Sequence, residues 1–128
     1  MIRLRGILRS TLYVRVTPNR FDVRHIESGR EASQIATEPF TTRRLLVGEY
    51  DPAVRALHAA MESVGFGHKY FAAPKVVIHP LAMSEGGLSA VEERILLEVA
   101  EGAGASRVAV WYGPLLTDQQ VLDRLNAA

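Results

Sequence analysis

The chain contains no cysteine, which excludes disulfides, thiolate nucleophiles and cysteine-based zinc sites and leaves packing as the source of stability. No apolar run approaches the ~20 residues that a membrane-spanning helix needs. The start, Met1-Ile2-Arg3-Leu4-Arg5, has no long apolar core followed by a small-residue cleavage site, so the reading is a cytoplasmic protein. Glycine and proline are scarce at 10 and 6 of 128 residues, which argues against both a fibrous repeat and a disordered chain. The four histidines, His25, His58, His68 and His79, give no His-x-x-x-His pair or nearby carboxylate at ligand spacing, so neither a metal nor another cofactor is expected. Aromatics are few, and Tyr13 alone interleaves with the arginines of the first strand, too little for a nucleic-acid stacking platform.

What is present is an ordinary globular composition, 48% apolar and 23% charged, in a length that fits one domain spanning residues 1–128. Net charge is only +1, but it is unevenly spread. Residues 1–44 hold nine arginines against four acids, and the remainder holds six bases against ten acids. The amino-terminal third is therefore a basic face, carried by Arg3, Arg5, Arg9 and Arg15 and continued by Arg20 and Arg24. Such a face either attracts nucleic acid or acidic lipid or is simply a solvated strand surface.

From Ile2 to Val16 the residues alternate: Ile2, Leu4, Leu8, Leu12, Val14 and Val16 on one parity, Arg3, Arg5, Arg9, Thr11, Tyr13 and Arg15 on the other. That period predicts a half-buried strand. Thr17-Pro18-Asn19-Arg20 reads as a tight turn into a second strand at 21–25, and Ser28-Gly29-Arg30 as a turn into a third at 32–37. Residues 38–50 read as a connection with a short strand or turn around 45–47.

Asp51-Pro52 predicts a helix cap with proline at the first helical position, followed by Val54, Leu57, Met61 and Val64 until Gly65. Residues 75–79, β-branched and closed by Pro80, fit a buried parallel strand. Ser89 and Glu92 have the spacing of a capping box before the stripe Val91, Ile95, Leu96 and Val99, with Gly102 expected as a left-handed cap. A further buried strand is expected at 106–111. Thr117 and Gln120 then cap a last helix carrying Val121, Leu122 and Leu125. The order βββαβαβα implies an α/β fold with a mixed five-stranded sheet and helices packed on it.

That element order is similar to the ribonuclease-H-like half-domain of the actin-like ATPase superfamily, and the wording narrows the likeness. Pro74-Lys75-Val76-Val77-Ile78-His79-Pro80, then Val91-Glu92-Glu93-Arg94, then Gly102-Ala103-Gly104-Ala105-Ser106-Arg107-Val108 resemble the first subdomain of MreB-type rod-shape-determining proteins. Ser10-Thr11-Leu12-Tyr13-Val14 resembles that family's first strand. The family carries Asp-x-Gly-Thr there to place a metal ion and admit phosphates; the corresponding positions here are Arg5, Ile7 and Leu8, a cation and two bulky aliphatics. Glu92 aligns with the family's water-orienting glutamate but is also the third helical residue of a capping box.

The resemblance thus implies a non-enzymatic, actin-like subdomain with no bound nucleotide. It would act by association with itself or with an actin-like relative in cell shape or cytoskeleton, and no small-molecule substrate is expected. Trp111, Tyr112, Leu115 and Leu116, clustered where the family chain would run on, are the candidate interaction residues. The alternative is an anion-binding module that uses the basic strand face. The Ser84-Glu85-Gly86-Gly87 loop, at the carboxyl end of a strand, is a weaker candidate for a small ligand.

Overall fold

In a computed structural model, which describes residues 10–65 and 73–127, eight elements follow one another in the expected order. They are β1 (Thr11–Thr17), β2 (Arg20–His25), β3 (Glu31–Ile35), α1 (Tyr50–Ser63), β4 (Lys75–Pro80), α2 (Ala90–Gly102), β5 (Arg107–Val110) and α3 (Asp118–Ala127). The sheet order is β3-β2-β1-β4-β5, with β1 at the centre. β1 runs antiparallel to β2 and parallel to β4, so the chain is an α/β fold on a mixed five-stranded sheet. The expected first-strand positions Ile2, Leu4, Leu8, Arg3, Arg5 and Arg9, together with Ile7 and His68, lie outside the described residues.

Alternation fixes one face of β1. Leu12, Val14 and Val16 join Phe21 and Val23 of β2, Val76 and Ile78 of β4, Leu57 and Met61 of α1, and Leu96 and Val99 of α2 in the main core. Each such side chain, fully buried, contributes about 1.5–3 kcal/mol of transfer free energy. The opposite parity was expected to face solvent, yet Thr11 and Tyr13 are also buried. The reason is α3, which crosses the second face and closes a smaller core of Tyr13, Val77, Val121 and Leu125. β1 is therefore covered on both sides at its middle and half-solvated only from Arg15 onward.

Five local expectations are corrected. α1 begins at Tyr50, two residues early; Glu49 is its N-cap and makes no side-chain cap bond, so Asp51 lies inside the first turn with Pro52 beside it, where a missing amide costs no helical bond. Of the short strand or turn expected around 45–47, the strand is absent and the chain bends at Leu46 and Val47. α2 includes Gly102, and the left-handed residue is Gly104, whose φ is 116°. Gly102 instead admits the Tyr50 hydroxyl, which a β-carbon there would strike. β5 is half-buried rather than buried, because it is the sheet edge. Val91 is 67% exposed; at 100° per residue it lies roughly 130° from the mean direction of Leu96, Val99 and Ala100.

Candidate functional site

β1, β4 and β5 are parallel, so their carboxyl ends meet at one end of the sheet. The β1–β2 turn, the segment 36–49, the loop 81–89 and the loop 111–117 gather there. Ligands of α/β proteins commonly bind at such an end.

The turn is the anchor. Asn19 follows Pro18 and adopts φ 56°, a conformation that asparagine tolerates better than most residues. Its Oδ1 accepts the amides of Phe40 and Thr41, both at 2.8 Å, while its own amide donates to Thr41 Oγ1 at 2.9 Å. Thr41 Oγ1 donates in turn to the Leu46 carbonyl at 2.7 Å. These bonds pull an irregular segment onto the sheet, and Phe40 is buried against Phe21 with ring centroids 4.9 Å apart.

Beside this segment lies an apolar cleft with about 370 Å³ of open space, mouth included, between Leu45, Val47, Pro80, Met83, Leu88 and Ile95. Glu92 stands on its wall, but its Oε1 accepts the Ser89 amide at 2.9 Å while Ser89 Oγ accepts the Glu92 amide at 3.1 Å. The capping box is formed, and this carboxylate serves the helix end. The Ser84–Gly87 loop borders the cleft; a β-carbon at Gly86 or Gly87 would meet nothing within 4 Å.

On the other face of the sheet, β1 and β4 bring Tyr13 and His79 together across 66 positions of sequence. The Tyr13 hydroxyl and His79 Nδ1 are 2.6 Å apart, and His79 Nε2 is 2.9 Å from the Gly113 carbonyl. A carbonyl only accepts, so Nε2 carries the proton and Nδ1 accepts from Tyr13. The Tyr13 oxygen accepts the Leu116 amide at 3.2 Å. Burial holds His79 below the usual histidine range; the Gly113 carbonyl opposes that shift and the Arg15 charge adds to it.

The four candidate interaction residues separate around this network. Trp111 and Leu116 pack on the smaller core, with the Trp111 indole nitrogen donating to the Pro114 carbonyl at 2.9 Å and the Arg124 guanidinium 3.8 Å from its ring centroid. Tyr112 and Leu115 face solvent, 46% and 64% exposed. Sequence reasoning missed Leu81, which is also exposed at this end, and placed Val91 in the core.

The described part of the basic face is matched by acids. Arg20 pairs with Asp22 at 3.1 Å, Arg24 with Glu31 and with Asp118 at 2.8 Å each, and Arg15 with Glu31 at 3.7 Å. Burial acts to raise the Asp22 carboxyl, but hydrogen bonds from Ser33 and Arg20 and the charges of Arg20 and Arg15 bring it below the usual carboxylate range. Arg24 lowers Asp118 in the same way, chiefly through its hydrogen bonds. In this stretch the arginines read as the solvated face of an antiparallel ladder.

His25, at the opposite end, has serines on both ring nitrogens: Ser10 Oγ at 3.2 Å from Nε2 and Ser28 Oγ at 2.6 Å from Nδ1. The Ser28 amide also donates to Nδ1 at 3.2 Å, so Nε2 holds the proton and cannot take one from Ser10. This ring therefore does not activate Ser10, while Ser28 is held to Nδ1 by its hydroxyl and its own amide and accepts the Arg30 amide, so the cluster ties the β2–β3 turn to the start of β1. Among the described residues no group of three metal-ligating side chains converges, and no helix is long and apolar enough to cross a membrane.

No protein-family profile matches the sequence. The chain is 38% identical over 126 residues to the uncharacterized protein YjaA of Escherichia coli strain K12, an alignment that covers 91% of this chain and 98% of that one.

Proposed function

The chain belongs to the YjaA family, and we propose that it is a non-catalytic, cytoplasmic association domain of ribonuclease-H-like, MreB-like build, which acts by binding a second copy of itself or an actin-like relative. Two features support the architectural half of this reading: the βββαβαβα order, and a central first strand parallel to β4 and antiparallel to β2. The capped glutamate helix follows β4, where the resemblance puts it.

One observation carries the functional half. Tyr112, Leu115, Leu81 and Val91 are large apolar side chains exposed at a single end of the sheet. The polar groups of that end, Asn19, Thr41, His79 and Glu92, are engaged in bonds that hold loops and helix ends together. An end that offers apolar contact while its polar groups hold the scaffold is suited to a partner surface more than to bond chemistry. Cell shape or cytoskeleton is the setting the MreB likeness implies.

Light scattering over a wide concentration range tests the reading, with co-sedimentation on filaments of full-length MreB as its second arm. The expected result is a mass that rises with concentration, or retention on the filaments. A constant monomer mass together with no retention would end the proposal.

A further inference from the structure

The segment 111–117 joins the edge strand β5 to α3. Its Trp111 amide donates to the Ile78 carbonyl of β4 at 3.0 Å, and beyond that residue the segment is held to the sheet at two backbone points. The Gly113 carbonyl accepts from His79 Nε2, and the Leu116 amide donates to the Tyr13 hydroxyl. Both points run through one tyrosine–histidine pair, whose members are linked at 2.6 Å. Gly113 has φ 154°, and a β-carbon there would run into the Trp111 ring, so the carbonyl's approach to His79 depends on glycine.

The pair is satisfied in one protonation state. With His79 neutral, Tyr13 donates to Nδ1 and accepts from Leu116, and every group has a partner. An imidazolium donates from both nitrogens. Nδ1 would then aim a second donor at the tyrosine oxygen, beside the Leu116 amide, and the tyrosine proton would be displaced from its acceptor. The charged state leaves a buried hydroxyl proton unsatisfied between two donors, a cost that is relieved when the Leu116 amide moves away.

The surroundings oppose the charge as well. His79 is 1% exposed. From β1, Arg15 is its register partner and Tyr13 its hydrogen-bond partner. From the end of β5, the Trp111 ring stands edge-on with centroids 6.5 Å apart, and α3 places Arg124 over that ring. The acids of this face are engaged with other arginines, Asp22 with Arg20 and Asp118 with Arg24. Among the described residues no carboxylate forms an ion pair with His79.

We infer that the Tyr13–His79 pair is an acid-sensitive latch, which holds the segment 111–117 against the sheet while His79 is neutral and releases it when His79 is protonated. Release frees the segment that carries Tyr112 and Leu115 and uncovers the smaller core around Val77 and Val121. The inference rests on the bonding alone and stands whether or not the domain associates.

Trp111 is the only tryptophan of the chain and reports from the edge of the latch. Its fluorescence, followed on the whole protein from about pH 8 to about pH 4.5, spans the range in which histidines titrate. A reversible one-proton step is expected with unchanged far-ultraviolet circular dichroism. Across it, the exchange protection of the Leu116 amide falls by about tenfold or more while that of Val14 in the central strand persists. His79→Gln keeps an amide donor for Gly113 and cannot titrate, so the step should vanish. Tyr13→Phe serves as the second variant, with Leu116 protection already low at pH 8 and a weakened step. A step that survives in His79→Gln, a step coincident with global unfolding, or unchanged Leu116 protection across the titration would each overturn the latch.

Discussion

Replacing Phe40 by alanine tests whether the irregular segment between β3 and α1 is core or covering. The side chain is fully buried, stacks on Phe21 and is drawn in by the amide bonds to Asn19. Truncation of a buried phenylalanine costs about 3–5 kcal/mol through lost transfer energy and an unfilled cavity. The ring pair alone accounts for about 0.5–1.5 kcal/mol beyond burial. With an unfolding entropy of about 2.1 cal/mol/K per residue, a chain of 128 residues loses roughly 4 °C of Tm per kcal/mol, so the variant should melt roughly 11–19 °C lower. Thermal and urea unfolding followed by circular dichroism supply the number. A surface connection would lose under about 0.5 kcal/mol; a loss below about 1 kcal/mol would refute the claim that this segment completes the core.

Three further outcomes follow from the same geometry. Asn19→Gly keeps the positive φ but removes two accepted amide bonds, for about 1–3 kcal/mol in urea unfolding. Asn19→Ala adds the left-handed penalty and should cost about 1–2 kcal/mol more than the glycine. Ser89→Ala should cost about 1 kcal/mol and shorten α2 at its start, measurable by denaturation and by amide exchange at Glu92. His25 and His79 are both held below the usual histidine value of about 6.5, each chiefly by burial, so the unfolded chain binds their protons first. Stability is then full above about pH 6.5 and is lost as pH falls from there through the folded values, by at most about 1.4 kcal/mol per pH unit for each histidine. The lowered Asp22 and Asp118 act in a separate window, their contribution being lost only as pH falls below about 3.8. A flat stability profile between pH 7 and pH 5 would contradict the burial of the two rings.

Much of the scaffold was legible because it is written in local periods. Alternation in β1 and β2, the β-branched run before Pro80 and the two capping boxes are signals contained within a few residues, and the element order followed from them. Phe40, Leu46 and Val47 carry no period, and only the contact with the β1–β2 turn reveals them as core. The covering of Tyr13 by α3, and hence the latch on His79, depends on a parallel register that brings together two residues 66 positions apart, which no window along the chain contains. Of the candidate interaction residues, the sequence could not tell which side chains turn inward. Trp111 and Leu116 fill the smaller core, and Tyr112 and Leu115 remain outside. The partner of each arginine was invisible for the same reason: Asp118, which meets Arg24, lies 94 positions further along the chain.

The proposal of an association domain is tested most directly by sedimentation equilibrium on the native chain and on Tyr112→Ser/Leu115→Ser, two exposed positions where substitution should change stability by no more than about 0.5 kcal/mol. The account predicts that the native chain forms dimers or larger species as concentration rises, and that the double variant, with unchanged Tm, stays monomeric to at least tenfold higher concentration, on the order of 1.4 kcal/mol of lost association. Identical association of the two proteins, or a native chain that remains monomeric throughout, would contradict it.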